Sequence, residues 1–223
     1  MSEFNIKRFS KVESTNDVGR MEKPGTLIVA KEQTKGKGRF GRVWESGKGG
    51  LWMSLVVSPS RPVQEYTMLV ALAVRAALGP GFSVKWPNDV LYKGKKVSGI
   101  LSEAVFSGNT PEKVVVGIGV NVNNMLSSSL NAVSLRQIYR KEKPVDVVMK
   151  HILTAYKNAS QLSSSELLER YRSECSTLGK NIRAATLSGD VVGKAVDITA
   201  DGELVVQTTR GKRILQEGDV SIL

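Results

Sequence analysis

The sequence predicts an α+β domain over residues 1–178, followed by a small β domain over residues 179–223. Three observations support this fold class. Strand-like segments recur through the first half of the chain and are interrupted by one long helical pattern. Two further helical patterns precede residue 176, and only short strands separated by glycine-containing turns follow residue 180. Leu178-Gly179-Lys180 therefore marks the boundary between the two domains.

The first domain contains seven predicted strands. Each is an apolar or alternating segment, and the turn at residues 93–95, Lys-Gly-Lys, separates two of them as a hairpin. The predicted strands cover residues 4–9, 26–30, 51–57, 82–86, 90–92, 97–106 and 113–120.

Helices are predicted at four places in this domain. Ser14 or Thr15 is placed to cap a short helix that contains Asn16. Residues 63–78 and 145–159 carry apolar side chains at helical spacing, and Gly79-Pro80 ends the first of these. Ser163 and Glu166 form a capping-box pair that opens a helix ending at residue 175. The apolar positions of the two long helices are Leu69, Leu72, Ala73 and Ala76, and Val145, Val148, Met149, Ile152, Tyr156 and Ala159.

The second domain consists of short strands only. Its turns are predicted at residues 188–190, 201–202 and 210–211, where Gly follows Ser, Asp or Arg. This spacing predicts a small β-barrel of about five strands.

Composition limits the classes of protein that are possible. A hydrophobic content of 41% is typical of a soluble globular protein, and no apolar run approaches the ~20 residues that span a bilayer. The N-terminal segment has no apolar signal core, and Cys175 is the only cysteine, so we expect a cytoplasmic protein without an internal disulfide or a thiolate metal cluster. The single His151 rules out a histidine metal cluster.

The net charge of +11 and the pI of about 9.8 allow two interpretations. A basic protein can bind nucleic acid, or it can attract ATP and an acidic protein partner. The charge is spread along the chain apart from residues 35–42, so a solvated basic surface accounts for most of it.

The segment 36–44 reads GKGRFGRVW and combines three glycines, three cations and a tryptophan. Glycine allows backbone N–H groups to approach a ligand, cations neutralise a phosphate or a carboxylate, and an indole offers a flat face to a base. The segment alone is consistent with a ligand-binding loop, with nucleic-acid binding or with a solvated loop.

Four other motifs accompany this loop in the order of a known family. They are Ser14-Thr15-Asn16, Lys85-Trp86-Pro87-Asn88-Asp89, Lys96-Val97-Ser98-Gly99-Ile100-Leu101 and Gly117-Ile118-Gly119-Val120-Asn121. The five motifs together resemble those of the biotin–protein ligases (biotin–acetyl-CoA-carboxylase ligases), and a weaker resemblance covers residues 193–223. The resemblance implies a mixed β-sheet catalytic domain of the biotin/lipoate ligase type, backed by helices, and a C-terminal SH3-like β-barrel.

The resemblance also implies a reaction. Biotin is activated by ATP and Mg²⁺ to biotinyl-5′-AMP, and biotin is then transferred to a lysine of a biotin carboxyl carrier protein or domain. Both reacting groups of the first step are anionic, so the site must neutralise negative charge. The positions that match catalytic residues of the family are Lys96, Arg39 and Arg42.

Binding residues are carried over from the family position by position. Those on the biotin side are Ser14, Thr15, Asn16, Gln33, Lys37, Gly38, Arg39, Lys96, Gly99 and Gly117. Those on the ATP side are Arg39, Arg42, Trp44, Lys85, Asn88 and Asn121. Asp89 is the candidate Mg²⁺ ligand, because Mg²⁺ prefers a carboxylate together with phosphate oxygens and water.

The sequence departs from the family pattern at two loop positions. Lys37 replaces an arginine and loses the planar guanidinium that makes bidentate contacts. Phe40 replaces a residue that is often basic. The side-chain contacts of Lys37 are therefore in doubt, although its backbone N–H is still available.

Two alternatives have to be weighed. A lipoate or octanoate ligase or transferase shares the fold, but its Arg-rich, Gly-Gly-Gly-containing motif is absent. A nucleic-acid-binding module would explain the charge, but the sequence has neither an RNP-type aromatic pair nor a helix lined with Lys and Arg. Because the Ser-Thr-Asn motif begins at Ser14, we expect no N-terminal DNA-binding domain, no DNA partner and no membrane association. Family members are often dimers, so the resemblance allows a homodimer.

Overall fold

The computed structural model describes residues 4–187 and 189–223. Two β-sheets and five α-helices make up this part of the chain. The strands of the larger sheet are β1 (Asn5–Phe9), β2 (Thr26–Ala30), β3 (Leu51–Val57), β4 (Phe82–Lys85), β5 (Asp89–Tyr92), β6 (Lys95–Ser107) and β7 (Thr110–Val120).

The larger sheet has the strand order β1-β2-β3-β7-β6-β5-β4. Strands β1 and β2 are parallel and every other neighbouring pair is antiparallel, so the predicted mixed sheet is confirmed. Strands β3, β7 and β6 lie at its centre. Residues 99–101 of β6 and 117–119 of β7, together with the turn that leads into β5, line the candidate site.

The helices are α1 (Thr15–Arg20), α2 (Val63–Leu78), α3 (Leu135–Tyr139), α4 (Val145–Ala159) and α5 (Ser164–Glu174). The predicted bounds of α2 and α4 are confirmed, and the predicted capping box of Ser163 and Glu166 is present at the start of α5. Helix α2 buries Leu69, Leu72 and Ala73 against the sheet and against α4. Ala76, the fourth apolar residue at this spacing, is exposed.

Helix α3 was not predicted from the sequence. Its signal is the pair of Ser134 and Gln137, which form a capping box: each side chain bonds the other residue's backbone N–H. The helix is only five residues long and buries Leu135 alone, so it lacks the periodic apolar stripe that indicates a longer helix.

The smaller sheet contains the last five strands in the order β11-β10-β9-β8-β12, all antiparallel. They are β8 (Asn181–Thr186), β9 (Gly189–Ile198), β10 (Leu204–Thr208), β11 (Gly211–Leu215) and β12 (Asp219–Ile222). Buried and exposed side chains alternate along β8, which is typical of a strand with one face on a core. The turn predicted at 188–190 includes Ser188, which lies outside the described residues.

Trp86 makes two of the hydrogen bonds that join the smaller sheet and its approach to the larger sheet. The indole Nε1 of Trp86 donates to the carbonyl of Gly202 at 2.9 Å, and the Trp86 backbone N–H donates to Thr177 Oγ1 at 3.0 Å. Trp86 is 1% exposed and belongs to the hydrophobic core. The division of the chain at residue 178 stays a prediction.

Among the described residues, no helix has both the length and the apolar composition that crossing a membrane requires. Cys175 follows α5 directly and is buried, whereas His151 is exposed on α4. Neither residue lies at the site described below.

Candidate active site

A cavity of about 140 Å³ lies at the edge where the sheet, helix α1 and the segment 33–46 meet. The turn that ends β4, the start of β6 and residues 218–220 of the smaller sheet complete its wall. Every site residue predicted from the sequence lines this cavity except Asn121. Five separate motifs are thus brought to one place, although their individual roles stay predictions.

The start of helix α1 forms the neutral polar part of the cavity. Gln33 Oε1 accepts from both the backbone N–H and the hydroxyl of Thr15, at 2.7 and 3.0 Å, and Gln33 Nε2 donates to Ser46 Oγ at 2.8 Å. Ser14 occupies the N-cap position but makes no capping bond with its side chain. Ser14 therefore occupies the predicted cap position without making a capping bond, and it lines the cavity.

Asn16 is fixed by bonds from three sides. Its Nδ2 donates to Glu103 Oε2 at 2.7 Å and to the Leu101 carbonyl at 3.3 Å, and its Oδ1 accepts from Ser54 Oγ at 2.7 Å. Because Asn16 is 3% exposed, this amide has little room to move. A Cβ at Gly117 would lie 2.4 Å from Asn16 Oδ1, which explains why glycine is required there.

The glycine-rich loop folds back on itself as a short hairpin. The Trp44 N–H donates to the Gly36 carbonyl at 2.9 Å, and the Gly38 N–H donates to the Arg42 carbonyl at 2.8 Å. The tip at Arg39–Gly41 is one 3₁₀ turn in which Phe40 has a φ of 56°, in the left-handed region. Phe40 is 47% exposed, so its ring does not pack under the loop in this state.

The indole of Trp44 lies against a surface made by two glycines. A Cβ at Gly119 would lie 2.4 Å from Trp44 Nε1, and one at Gly99 would lie 3.0 Å from Trp44 Cζ3. The Trp52 ring meets it edge to face at 6.4 Å between centroids. A Cβ at Gly119 would overlap the indole and one at Gly99 would be a tight contact, so the two glycines let Trp44 lie close to strands β6 and β7.

Lys96 and Asp89 form an ion pair at the cavity wall. Lys96 Nζ lies 2.7 Å from Asp89 Oδ1 and 5.0 Å from the centroid of the Trp44 ring. The register of β5 and β6 places Leu91 opposite Lys96. Asp89 is only two residues from Leu91, so the pairing of the strands brings Asp89 close to Lys96. Both side chains are partly shielded from water, at 32% and 15% exposure, which strengthens their electrostatic effect on a bound group.

Arg39 and Arg42 connect the loop to the second sheet. Arg39 donates to the Gly218 carbonyl at 3.3 Å, and Arg42 lies 2.8 Å from Asp219 Oδ2 in an ion pair. Burial lowers the pKa of the Arg39 guanidinium, and Glu217, Asp89 and Asp219 oppose this shift. An arginine stays protonated in proteins, so Arg39 presents a partly desolvated positive charge to the cavity.

The remaining predicted residues differ in how they are held. Lys37 forms an ion pair with Asp17 at 2.5 Å, so its charge is already partnered. Asn88 Nδ2 donates to the Ile100 carbonyl at 2.8 Å and fixes the turn to β6. Lys85 lines the cavity, and among the described residues its ammonium has no ion-pair or hydrogen-bond partner.

Asn121 is the predicted site residue that does not line the cavity. It is 3% exposed, lies outside the cavity wall, donates to the Lys96 carbonyl at 3.5 Å and accepts from Asn124 Nδ2 at 3.1 Å. In this state the side chain therefore supports the backbone of Lys96, and the predicted contact with ATP stays a prediction.

Several residues of the site were not identified from the sequence. Ser46, Ser54 and Glu103 orient the predicted polar side chains, Gly119 receives Trp44, and Asp219 pairs with Arg42. Glu103 is close to the Lys96 motif along the chain, but its contact with Asn16 spans 87 residues, so only the packing of α1 on the sheet reveals it.

The charges and polar groups of the cavity are separated. Five cations and two carboxylates line it, and the cations are concentrated in the loop and at the ends of β4 and β6. The neutral hydroxyls and amides lie at α1. Such a site can bind a neutral polar ring at one end and neutralise an anion at the other.

The chain was compared with known families and structures. Residues 9–121 match the biotin/lipoate A/B protein ligase family, and residues 177–223 match the biotin protein ligase C-terminal domain. The fold and site therefore define a ligase-type catalytic domain with its C-terminal partner domain. The chain belongs to the biotin/lipoate A/B protein ligase family. The prediction of a biotin protein ligase is confirmed.

Three relatives illustrate this similarity. The bifunctional ligase/repressor BirA of Bacillus spizizenii is 36% identical over 220 residues, which cover 89% of this chain and 66% of that protein. The biotin–[acetyl-CoA-carboxylase] ligase of Mycobacterium tuberculosis is 30% identical over 217 residues, covering 88% of this chain and 78% of that protein. The structure of the biotin protein ligase from Aquifex aeolicus in complex with biotin and ATP has a TM-score of 0.84 and 30% identity, and covers 98% of both chains.

Proposed function

We propose that this chain activates biotin with ATP to biotinyl-5′-AMP and transfers biotin to a lysine of a biotin carboxyl carrier protein or domain. The observation that carries this proposal is the meeting, in one cavity, of a neutral polar pocket with the cations Lys96, Arg39 and Arg42. The relatives named above, and the biotin and ATP of the Aquifex aeolicus complex, support it.

In the first half-reaction, a biotin carboxylate oxygen attacks the α-phosphate of ATP and pyrophosphate leaves. Negative charge builds up between two anionic groups, so fixed cations lower the barrier. Lys96 is the best placed of these, because it lies beside Asp89 and over Trp44 at the junction of the neutral and cationic ends. Arg39 and Arg42 would hold the phosphate side, and Lys85 is a further cation there.

The neutral pocket fits the ring of biotin. A ureido group offers one carbonyl acceptor and two N–H donors, which hydroxyls and amides satisfy without burying a charge. Ser14, Thr15, Asn16 and Gln33 supply such groups, and the glycines at 99 and 117 let the backbone approach an apolar bicycle. Lys37 and Gly38 would close the pocket from the loop, although the charge of Lys37 is partnered by Asp17.

The nucleotide would extend along the loop, with its base near Trp44 and its sugar near Asn88 or Asn121. For Asn121 this requires a rearrangement of the bonds it makes with Lys96 and Asn124. Trp44 Nε1 is buried without a hydrogen-bond partner among the described residues, so the indole has a donor free for such a change.

Asp89 fits a magnesium site only in part. Its Oδ1 is buried, contacts Lys96 as an ion pair and has no hydrogen bond of good geometry. The described residues contain no group of three or more acidic, His or Cys side chains that could hold a metal alone. Mg²⁺ uses one or two carboxylates together with substrate phosphates and water, so Asp89 would hold it with ATP, where Mg²⁺ would neutralise phosphate charge.

In the second half-reaction the amine of the carrier lysine attacks the acyl carbon and AMP leaves. The basic surface of the chain would attract an acidic carrier domain and add salt-dependent steering. A cytoplasmic location, the absence of a DNA partner and a homodimer belong to this proposal as expectations from the family.

The proposal is tested by pyrophosphate exchange into ATP, measured with biotin, lipoate or octanoate as the acid. Exchange that requires biotin and is not supported by the other two acids is the expected result. Exchange with lipoate or octanoate alone would show that the chain belongs to the other branch of its family. Salt-dependent RNA binding without any exchange would show that the basic surface has a different purpose.

A further inference from the structure

A second cavity of about 210 Å³ adjoins the first one and has no role in the chemistry described above. The two cavities share the wall formed by Arg39 and by the turn from Trp86 to Asn88. Helix α2, strand β6 and the turn before β12 close the second cavity. It therefore reaches the same reaction centre from the side of the C-terminal sheet.

The two cavities differ in charge. The first has five cations against two carboxylates, which suits a polyanion such as ATP. The second has only two charged side chains among the described residues that line it, Arg39 and Glu217, and its other walls are neutral or apolar. The second cavity does not suit a triphosphate, because the positive charge of Arg39 there is offset by the negative charge of Glu217.

Glu217 is the distinctive group of the second cavity. It is half-buried, and among the described residues it forms no ion pair or hydrogen bond. Of the carboxylates near Arg39 it has the largest electrostatic effect on that guanidinium, which indicates that it faces the same space. Because no ion pair or hydrogen bond among the described residues holds this carboxylate, it is available to bind a cation in addition to its longer-range interaction with Arg39.

We propose that the second cavity receives the acceptor lysine and that Glu217 binds its ammonium group. The inference rests on the proposed function, which supplies the lysine as substrate. A lysine side chain has an apolar stem and a charged end, and this cavity offers apolar walls, such as Val63 and Met68, and one carboxylate. It opens toward Arg39, which would hold the phosphate end of the acyl–adenylate bond.

The geometry also accounts for deprotonation of the acceptor. An ammonium has no lone pair, so it must lose a proton before its nitrogen can bond to the acyl carbon. As the amine advances from Glu217 toward Arg39 and Lys96, their positive charges favour its neutral form, and the carboxylate of Glu217 takes the proton. The carbon–oxygen bond to the phosphate then breaks, and AMP leaves with the bonding electrons and the second proton of the nitrogen.

The other titratable groups around Glu217 are consistent with this role. Arg39 faces it across the cavity, and Asp219 lies two residues further on and pairs with Arg42. Tyr171 lines the cavity too, and its complete burial raises its pKa well above the ordinary value, so it stays neutral. Among the described residues, Glu217 is the one carboxylate that lines the second cavity.

The test separates the two half-reactions in the full-length enzyme. Glu217→Gln is compared with wild type and with Glu169→Gln, which makes the same charge change on the exposed face of α5. Pyrophosphate exchange reports adenylate formation. The enzyme-bound adenylate is then mixed with a biotin carboxyl carrier domain, or with hydroxylamine, a small amine that is uncharged at neutral pH and does not need the carboxylate.

We expect Glu217→Gln to keep exchange and the hydroxylamine reaction within about threefold of wild type while transfer to the carrier lysine falls by about tenfold or more. This deficit should shrink as the pH rises, because a larger fraction of the lysine then arrives unprotonated. Glu169→Gln should match wild type throughout.

Two results would overturn the proposal. One is carrier transfer by Glu217→Gln within about threefold of wild type at neutral pH. The other is an equal loss in exchange, hydroxylamine reaction and transfer, which would mean that Glu217 acts only through Arg39. Absence of exchange in the wild type would instead contradict the proposed function itself.

Discussion

Replacing Gly117 with alanine tests the biotin pocket through a single methyl group. The new Cβ would lie 2.4 Å from Asn16 Oδ1 and 3.0 Å from its Cγ, far inside van der Waals contact. Gly117 lies in central strand β7, where it pairs with Ser54 of β3 and Leu101 of β6, so the backbone is held from both sides. The Asn16 amide must therefore move instead.

The size of the effect follows from the bonds that Asn16 makes. Moving its oxygen breaks the bond from Ser54, and further rotation breaks the charge-assisted bond to Glu103. Losing one or two such bonds costs about 1–3 kcal/mol. If the same amide hydrogen-bonds the biotin ring, the displaced amide loses that bond as well, at a similar cost of about 1–3 kcal/mol, and the dissociation constant for biotin should rise by about 5- to 150-fold, at 1.4 kcal/mol per factor of ten.

The assay is isothermal titration with biotin, with Gly47→Ala as the matched control. A Cβ at Gly47 meets nothing within 4 Å, so this variant should bind biotin as the wild type does. Thermal unfolding of both variants shows that the protein titrated is folded. A Gly117→Ala protein that is folded and binds biotin within about twofold of wild type would refute the placement of biotin against Asn16.

Three further predictions concern the cationic end of the cavity. Lys96→Ala should slow adenylate formation by more than ~100-fold without unfolding the protein, as measured by pyrophosphate exchange, and exchange within a few-fold of wild type would exclude the assignment. Biotinyl-adenylate should protect the 36–50 segment, which holds six glycines, from tryptic cleavage, and equal cleavage with and without it would argue against loop closure. Arg39→Gly should still form the adenylate but release it, and so label albumin that the wild type leaves unlabelled; albumin labelling no higher than wild type would place adenylate retention elsewhere in the loop.

The sequence was sufficient to predict the two-part architecture and the side chains that meet in the cavity. Regular periodicity identified α2 and α4, because each buries a continuous apolar stripe. The site residues came from five short motifs and from Gln33, and all but Asn121 line one cavity. Motifs predict which residues meet because a fold shared by a family brings them together.

The parts that were missed depend on packing over long distances along the chain. Ser54 reaches Asn16 across 38 residues, and Gly218 meets Arg39 across 179 residues, so no local pattern indicates either contact. Asn121 is a different case. It was identified from a local motif, but the motif does not indicate that its side-chain amide makes hydrogen bonds with Lys96 and Asn124. Helix α3 was missed because it is too short to show periodicity, although its capping box was readable.

Biotin activation is the central claim, and mass spectrometry of the reaction mixture tests it most directly. The purified protein is incubated with biotin, ATP and Mg²⁺ without any carrier and is then denatured, so that a bound intermediate is released. The account predicts biotinyl-5′-AMP in the wild-type sample and its near absence in the Lys96→Ala sample. The account is contradicted if the folded wild-type protein binds biotin but forms no biotinyl-5′-AMP when no acceptor is present.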